Sequence, residues 1–472
     1  MPMLDLLTQS YPSKALDQNQ ATLINMYLEA DQSKGKYKVI ALPTPGLTTF
    51  CDTGEANVRA LYEHNGVLYA IAGDNMYSIN SGGTATQIGT SLNTSSGFAK
   101  IRAITGGSDN NNQLIAIDGV KGYHYNIGTS TATFPIADVD FPQTCVDLET
   151  QDDYFFVVDP NSMSFNISAV ANGLSWDALD FASKIGQADR LVSIISNARK
   201  IWLMGTKTLE PWYNSGNTDF PFERIPDTFL NVGCESKESV AISNTDVFFL
   251  GKNVNGGTSV IRITQYSPQP VSTQPLDTLF STFTTSNATA ICYKKDGHEF
   301  YEITFPTDAR TFAYDITTGL WIERTSYISS AYTRQLASCR AFCYNKSLVG
   351  DYSSGKIYYH NTAAYTENSA PIKRTFISPP IYYEGKRVLL DKLIIDVETG
   401  IGSSKTFLLE KSFDSGTTWT TVDTFTVPEK GGRVYAHSLG SSQTGIMLRI
   451  TTTMDGKFIL LGFQAEVSVA HH

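Results

Sequence analysis

The chain has 472 residues, 41% of them apolar, with 36 Lys and Arg against 46 Asp and Glu and a formal net charge of −10. That acidity removes the counterion release from which nucleic-acid binders draw affinity, so any role near DNA is mechanical rather than adhesive, without sequence-specific binding. No apolar window approaches the roughly 20 residues of a membrane-spanning helix, so no membrane is expected as a partner. The opening Met1-Pro-Met-Leu-Asp-Leu-Leu7 has neither the basic start nor the apolar run of a signal peptide. Six cysteines, at 51, 145, 234, 292, 339 and 343, form no C-x-x-C pair, and the seven His show no metal spacing. The expectation is a chain folded in a reducing cytoplasm, with thiols as small core residues and no cofactor or metal.

At this length a prior of roughly 150 residues per domain gives two or three domains, unless repeats build one larger unit. The first fifty residues differ from the rest. Leu16-Asp-Gln-Asn-Gln20, the apolar Leu23-Ile-Asn-Met-Tyr-Leu-Glu29, a polar 31–38 run and Leu42-Pro-Thr-Pro-Gly-Leu47 follow one another. The two prolines forbid a helix, so residues 1–48 read as an extended N-terminal arm lying on the body, with Leu23, Met26 and Tyr27 seeking burial or a partner.

From Asn65 a unit repeats: polar turn, apolar strand, short break, second strand. It starts near 65, 112, 152, 199, 245, 297 and 346, in steps of about 40 to 52 residues, the spacing of propeller blades. A single four-stranded sheet cannot cover its own faces, so radial stacking follows. Residues 49–370 therefore read as a β-propeller of seven blades, or six if one unit merges.

The fourth unit is the most elaborated. Lys200–Gly205 is an apolar strand, Leu209-Glu-Pro-Trp-Tyr-Asn-Ser-Gly216 a second, and Phe220-Pro-Phe222 an aromatic pair stiffened by proline. Trp212 and Tyr213 are adjacent on a strand and must face opposite ways, so one of them leaves the buried side. Trp212, Tyr213, Phe220 and Phe222 are thus candidate interface residues beside the arm, with burial over the propeller ends as the competing reading.

The Pro371–Pro380 stretch breaks the rhythm and reads as a linker. After it come longer alternating strands at 388–397, 405–413, 419–427, 434–438, 446–452 and 458–469, the pattern of an antiparallel β-sandwich over 371–472. The fold class is all-β: a propeller followed by a sandwich. Ser412-Phe-Asp-Ser-Gly-Thr-Thr-Trp419 matches the Asp-box turn of sialidase-like propellers. Its chemistry is local: Ser412 and Asp414 hold a hairpin turn, Gly416 supplies the dihedral and Trp419 packs beneath. A glycan-binding or glycan-cleaving propeller is the competing function, and it would need clustered arginines; Arg190, Arg199, Arg224 and Arg262 cannot be brought together by spacing. No nucleophile elbow or phosphate loop is present, so no catalytic residue is assigned.

Three segments carry a resemblance: Ile24-Asn-Met-Tyr-Leu-Glu29 with Pro43-Thr-Pro-Gly-Leu47; Leu209–Gly216 running to Gly233-Cys234; and Arg387-Val-Leu-Leu-Asp-Lys-Leu-Ile-Ile-Asp396. With these the chain resembles the packaged-DNA stabilisation proteins, the tail hubs or tail accessory factors of short-tailed bacteriophages. The resemblance implies a non-enzymatic virion tail protein assembled in the host cytoplasm. It implies a homo-hexameric ring below the portal–adaptor (head-to-tail connector) proteins that holds the genome in. It also implies attachment of tail fibres or spikes and of needle or nozzle proteins.

Overall fold

The computed structural model describes all residues except 1–2, 16–17, 31–34, 107–111, 254–255, 402–404 and 470–472. The Gly- and Asn-rich turn at 107–111, part of the polar run at 31–38, the Leu16-Asp17 step and the terminal His471-His472 pair lie outside the described residues.

Seven antiparallel sheets follow one another along the chain. They are blades 1 (58–89), 2 (100–133), 3 (148–183), 4 (191–224), 5 (232–270), 6 (289–324) and 7 (337–361). The repeat starts read from the sequence fall at the turn between the first two strands of each blade. His64 pairs with Val67, Gln151 with Tyr154, Asn197 with Lys200, Lys295 with His298 and Cys343 with Lys346. The two residues between each pair, such as Asn65-Gly66 and Asp152-Asp153, both have positive φ. That mirror-image turn matches the right-handed twist of the flanking strands, which is why Asn, Asp and Gly mark the period.

Each seam between neighbouring blades is filled by its own apolar cluster. Leu61, Leu68, Leu348 and Ile357 join blades 7 and 1, Ile71 and Leu114 join 1 and 2, and Ile115 and Phe155 join 2 and 3. Phe156 and Phe222 join 3 and 4, Trp202 and Phe249 join 4 and 5, and Phe248 and Tyr301 join 5 and 6. The ring is closed from the front of the chain. Gly46–Asp52 is the outer strand of blade 7, registering Asp52 with Lys356 and Leu47 with His360.

The seam between blades 6 and 7 is continuous with a second core. Val388–Val397 lies between Val434–Ser442 and Leu460–Val469, and Met26–Ala30 with Val39–Pro43 extends that sheet past Leu460–Val469. Thr406–Ser412, Thr420–Thr426 and Met447–Thr452 form another sheet with Arg374–Ile377. Thr22–Ile24 joins that sheet to blade 6, bridging Ile24 to Glu323 and pairing Leu23 with Phe376. The two sheets share one interior, with Phe376 on Phe463 at 5.3 Å and Phe407 on Phe458 at 5.5 Å. The stretch read as a linker therefore holds a central strand, because Thr375 and Phe376 fill a slot between two others. Arg324 pins this junction. Wholly buried, it donates to the Tyr293 hydroxyl at 2.8 Å, to Glu302 at 3.3 Å and to Asn25 at 3.2 Å.

Candidate assembly surface and axial channel

The structure divides the seven candidate interface residues. Leu23, Met26 and Tyr27 are 0%, 1% and 6% exposed, because their strands are inserted between blade 6 and the terminal sheets. Tyr27 stands edge-on to His298 at 4.7 Å and Phe300 at 5.7 Å. Trp212 and Tyr213 do face opposite ways: Trp212 meets Phe165 at 5.5 Å in the blade 3–4 seam, and Tyr213 reaches solvent. The loop after them folds back as the strand Phe222–Arg224, the outermost of blade 4, so Phe222 is buried 4.7 Å from Phe156. Phe220 is half-buried on Phe165 at 6.1 Å. Five of the seven spend their apolar surface on this chain's own core, which leaves Tyr213 and Phe220 for a partner.

The Asp-box segment is the hairpin turn between Thr406–Ser412 and Thr420–Thr426. Asp414 accepts from the Thr418 amide at 2.8 Å and from its hydroxyl at 2.5 Å, and the Ser412 hydroxyl donates to it at 2.7 Å. These bonds hold the Asp414 carboxyl down at about 2. Gly416 sits at φ +86°, where a Cβ would be strained. Trp419 lies under the Arg449 guanidinium at 4.4 Å, and Arg449 forms a forked pair with Glu410 at 2.6 and 2.8 Å. The Ser412, Asp414, Gly416, Thr418 and Trp419 groups are used to hold the turn.

A larger exposed apolar surface lies on blade 3. Its outer strand, Asn172–Ser183, has 12 residues, whereas the outer strands of blades 1, 2, 4 and 5 have 5, 3, 3 and 4. Pairing with Ser164–Ala169 breaks between Asn166↔Phe181 and Ser168↔Trp176, so 177–180 bulges outward. Leu179 is 81% exposed, Phe181 48% and neighbouring Ile185 70%. Sequence reasoning missed this edge. The available signal was a strand-length run with five large apolar residues, Leu174, Trp176, Leu179, Phe181 and Ile185, of which only Trp176 is buried, where a short outer strand suffices.

The innermost strands and turns of the seven blades surround an axial cavity of about 260 Å³. The short 3-10 turn Lys237–Ser239 of blade 5 reaches across it. Lys237 donates to the Val146 carbonyl at 2.8 Å and lies 3.3 Å from the centre of the Phe98 ring. Lys100 pairs with Asp147 at 2.6 Å, and Arg102 forks onto Glu149 at 2.7 and 3.0 Å. Burial alone would raise the Asp147 carboxyl, but Lys100 and the Ser193 hydroxyl outweigh it and hold it below its ordinary value. Arg59 donates to the carbonyls of Gly73, Thr94, Gly97 and Phe98, tying blade 1 to blade 2. The wall also carries Cys292 and Cys339, whose thiols burial pushes up, Cys339 to about 12, so neither offers a thiolate nucleophile. None of Arg190, Arg199, Arg224 and Arg262 lines this cavity. Among the described residues no group of His, Cys, Asp and Glu is placed to hold a metal ion, and no helix is long and apolar enough to cross a membrane.

Residues 4–365 match the family described as "Bacteriophage P22 Gp10, beta-propeller". No curated protein matches the chain. Among solved structures, it is similar to the extracellular domain of a hybrid two-component system from B. thetaiotaomicron, at 12% identity and TM-score 0.44. That likeness covers 67% of this chain and 40% of the other. The Neurospora crassa Pan2 WD40 domain matches at 10% identity and TM-score 0.41, over 67% of this chain and 94% of that one. YCF48 from Cyanidioschyzon merolae matches at 9% and 0.40, over 67% and 99%. With a seven-bladed ring in the structure and a family match over most of its length, the chain belongs to the Bacteriophage P22 Gp10 β-propeller family, a family of bacteriophage structural proteins.

Proposed function

We propose that the protein is a tail-hub subunit of a short-tailed bacteriophage, a non-enzymatic virion component that closes the portal–adaptor channel and retains packaged DNA. In this reading copies of the chain form a ring, six in number, and offer attachment to tail fibres or spikes and to needle or nozzle proteins. The propeller, 49–370, is the load-carrying body, and the terminal sheets, built from 1–48 together with 371–472, form a second attachment face. What supports the reading is the family membership joined to one observation: the long outer strand of blade 3 leaves Leu179, Phe181 and Ile185 in solvent. Apolar groups on an open sheet edge are a liability in a lone protein and an asset in one that is assembled. Ring closure then makes weak single contacts firm.

The test is assembly. Purified protein mixed with the portal–adaptor complex should co-sediment and show an added ring by negative-stain imaging. A protein that stays monomeric and unbound at micromolar concentration, or that turns over a sialoside or surface polysaccharide, would overturn the reading.

A further inference from the structure

The charges around the propeller axis do not balance. Arg59, Lys100, Arg102, Lys237 and Arg340 line the cavity, against Asp147 and Glu238, with Glu149 facing Arg102. Five cations against three carboxylates leave an excess of two positive charges. The surrounding propeller has the opposite sign: residues 49–370 contain 21 Lys and Arg and 32 Asp and Glu. The excess is therefore local and inward, not part of a basic surface.

Arg340 is the cation without a partner. It lies on the first strand of blade 7 and borders both the axial cavity and a second cavity at the blade 5–6–7 mouth. It forms no ion pair among the described residues, and its Nε is buried with no hydrogen-bond partner. Burial pulls the guanidinium below its ordinary pKa, and Glu299 is too far away to pair with it. Around it stand Ile242, Ile291 and Cys292, which accept nothing strong from a guanidinium. Arg340 is half-buried, with its Nε enclosed; a partly desolvated charge left unpaired is costly, whereas a forked guanidinium suits a tetrahedral oxyanion. About 260 Å³ holds such an ion with several waters, each needing roughly 30 Å³.

We infer that the axial cavity is a binding site for a phosphate-type oxyanion, with Arg340 as its principal ligand and the neighbouring axial cations as its field. The bound ion acts as an internal counter-charge that ties the first strands of several blades to one point. This does not rest on the hub role, since any source of the same chemistry fills the site: free inorganic phosphate, or a phosphate at a DNA strand end.

Two readouts on the full chain test it. Calorimetric titration of inorganic phosphate in a chloride-free buffer should show saturable binding. Arg340→Gln should weaken it about 10- to 100-fold, the loss of a charge-assisted hydrogen-bonded contact. Arg340→Lys should retain part of the affinity, and Arg387→Gln, on an exposed residue of the terminal sheets, should retain all of it. The second readout is a crossover in thermal stability. Without phosphate, Arg340→Gln melts at or above the parent temperature, because an unpaired, half-buried charge has been removed. With saturating phosphate it melts below the parent. A 5′-phosphorylated oligonucleotide that displaces phosphate, where the unphosphorylated one does not, makes DNA the source; displacement by neither makes it the free ion. Absence of phosphate binding by the parent chain, or equal binding by Arg340→Gln, overturns the proposal.

Discussion

Blades 3 and 7 finish their sheets in opposite ways. The outer strand of blade 7 comes from far away in sequence, Gly46–Asp52, and its free side is covered in turn where Glu367 bridges Leu47. Blade 3 ends on its own 12-residue strand, bulged at 177–180, with none of the described residues laid over Leu179 and with Phe181 about half exposed. An open propeller ring must hide its seam, so blade 7 is sealed for stability. No such demand acts on blade 3, and under the proposed assembly its long apolar edge is the part kept for a partner.

The largest expected effect comes from breaking the sealed edge. Deleting residues 1–52 removes the closing strand of blade 7 and also Leu23, Met26, Tyr27 and Leu28, all buried in the blade 6–7 and terminal cores. The truncated chain should lose its near-ultraviolet circular dichroism and its cooperative melt. A truncated chain that still melts cooperatively within a few degrees of the parent would show that the seal is dispensable.

How far these regions were legible in the sequence follows from what each kind of signal reports. Most blades were readable because the turn at their start needs φ above zero and so favours Asn, Asp or Gly, a chemical mark that recurs; blade 4, which turns on Ala198-Arg199, was readable from its apolar strands instead. The closing strand was not. Gly46–Asp52 has no local sign that its partner is Lys356–Asn361, roughly 300 residues later, so the first residues read as an arm on the surface. The same non-locality explains the aromatic pair at 220 and 222: composition marks both as apolar, but only pairing with 212–214 decides that Phe222 turns inward. The axial cations were unreadable for a third reason, because Lys100, Lys237 and Arg340 meet only when seven first strands converge.

A second way to stress the seal is acid. His360 lies in the strand that the closing segment pairs with, buried against Tyr293 at 4.4 Å and facing Ser347, with Arg324, Arg340 and Lys295 nearby. Burial, aided by those cations, lowers its pKa to about 3. His124 in blade 2 is lowered by burial to about 4. In the unfolded chain both take up a proton near pH 6.5, which the folded state refuses. Stability is therefore intact above about pH 6.5 and falls as pH drops towards 3 to 4. For His360 the loss amounts to roughly 5 kcal/mol at 1.36 kcal/mol per pKa unit. Denaturant titrations from pH 7 to 4 should show this slope, and His360→Phe, which keeps the stack, should flatten its share. An unchanged slope in that variant would place the acid sensitivity away from the seal.

Blade 3 itself must be sound beneath its open edge. Phe222 packs on Phe156 and Tyr154 of blade 3, at 4.7 and 5.5 Å. Phe222→Ala should cost about 3–5 kcal/mol, the usual penalty for an emptied aromatic site. Tyr213→Ala on the same sheet faces solvent and should change stability by no more than about 0.5 kcal/mol. Equal effects from the two would mean that the blade 3–4 seam is looser than its burial indicates.

The smallest effect on the isolated chain should come from the open edge, and it separates the two blades most cleanly. Leu179 and Phe181 stand in solvent, so Leu179→Ser with Phe181→Ser removes no core contact and should leave the monomer within about 0.5 kcal/mol of the parent. The same pair should abolish association with the portal–adaptor complex or with further copies, because apolar anchors at the centre of an interface carry most of its energy. The readouts are a melt of the monomer and sedimentation of the mixture. A destabilised monomer would show that the bulged strand is held by its own side chains and is no more open than blade 7. A stable doublet that still assembles would move the contact elsewhere, first to Tyr213 and Phe220 on the neighbouring blade. Only a stable monomer that fails to assemble fits an edge kept bare for a partner.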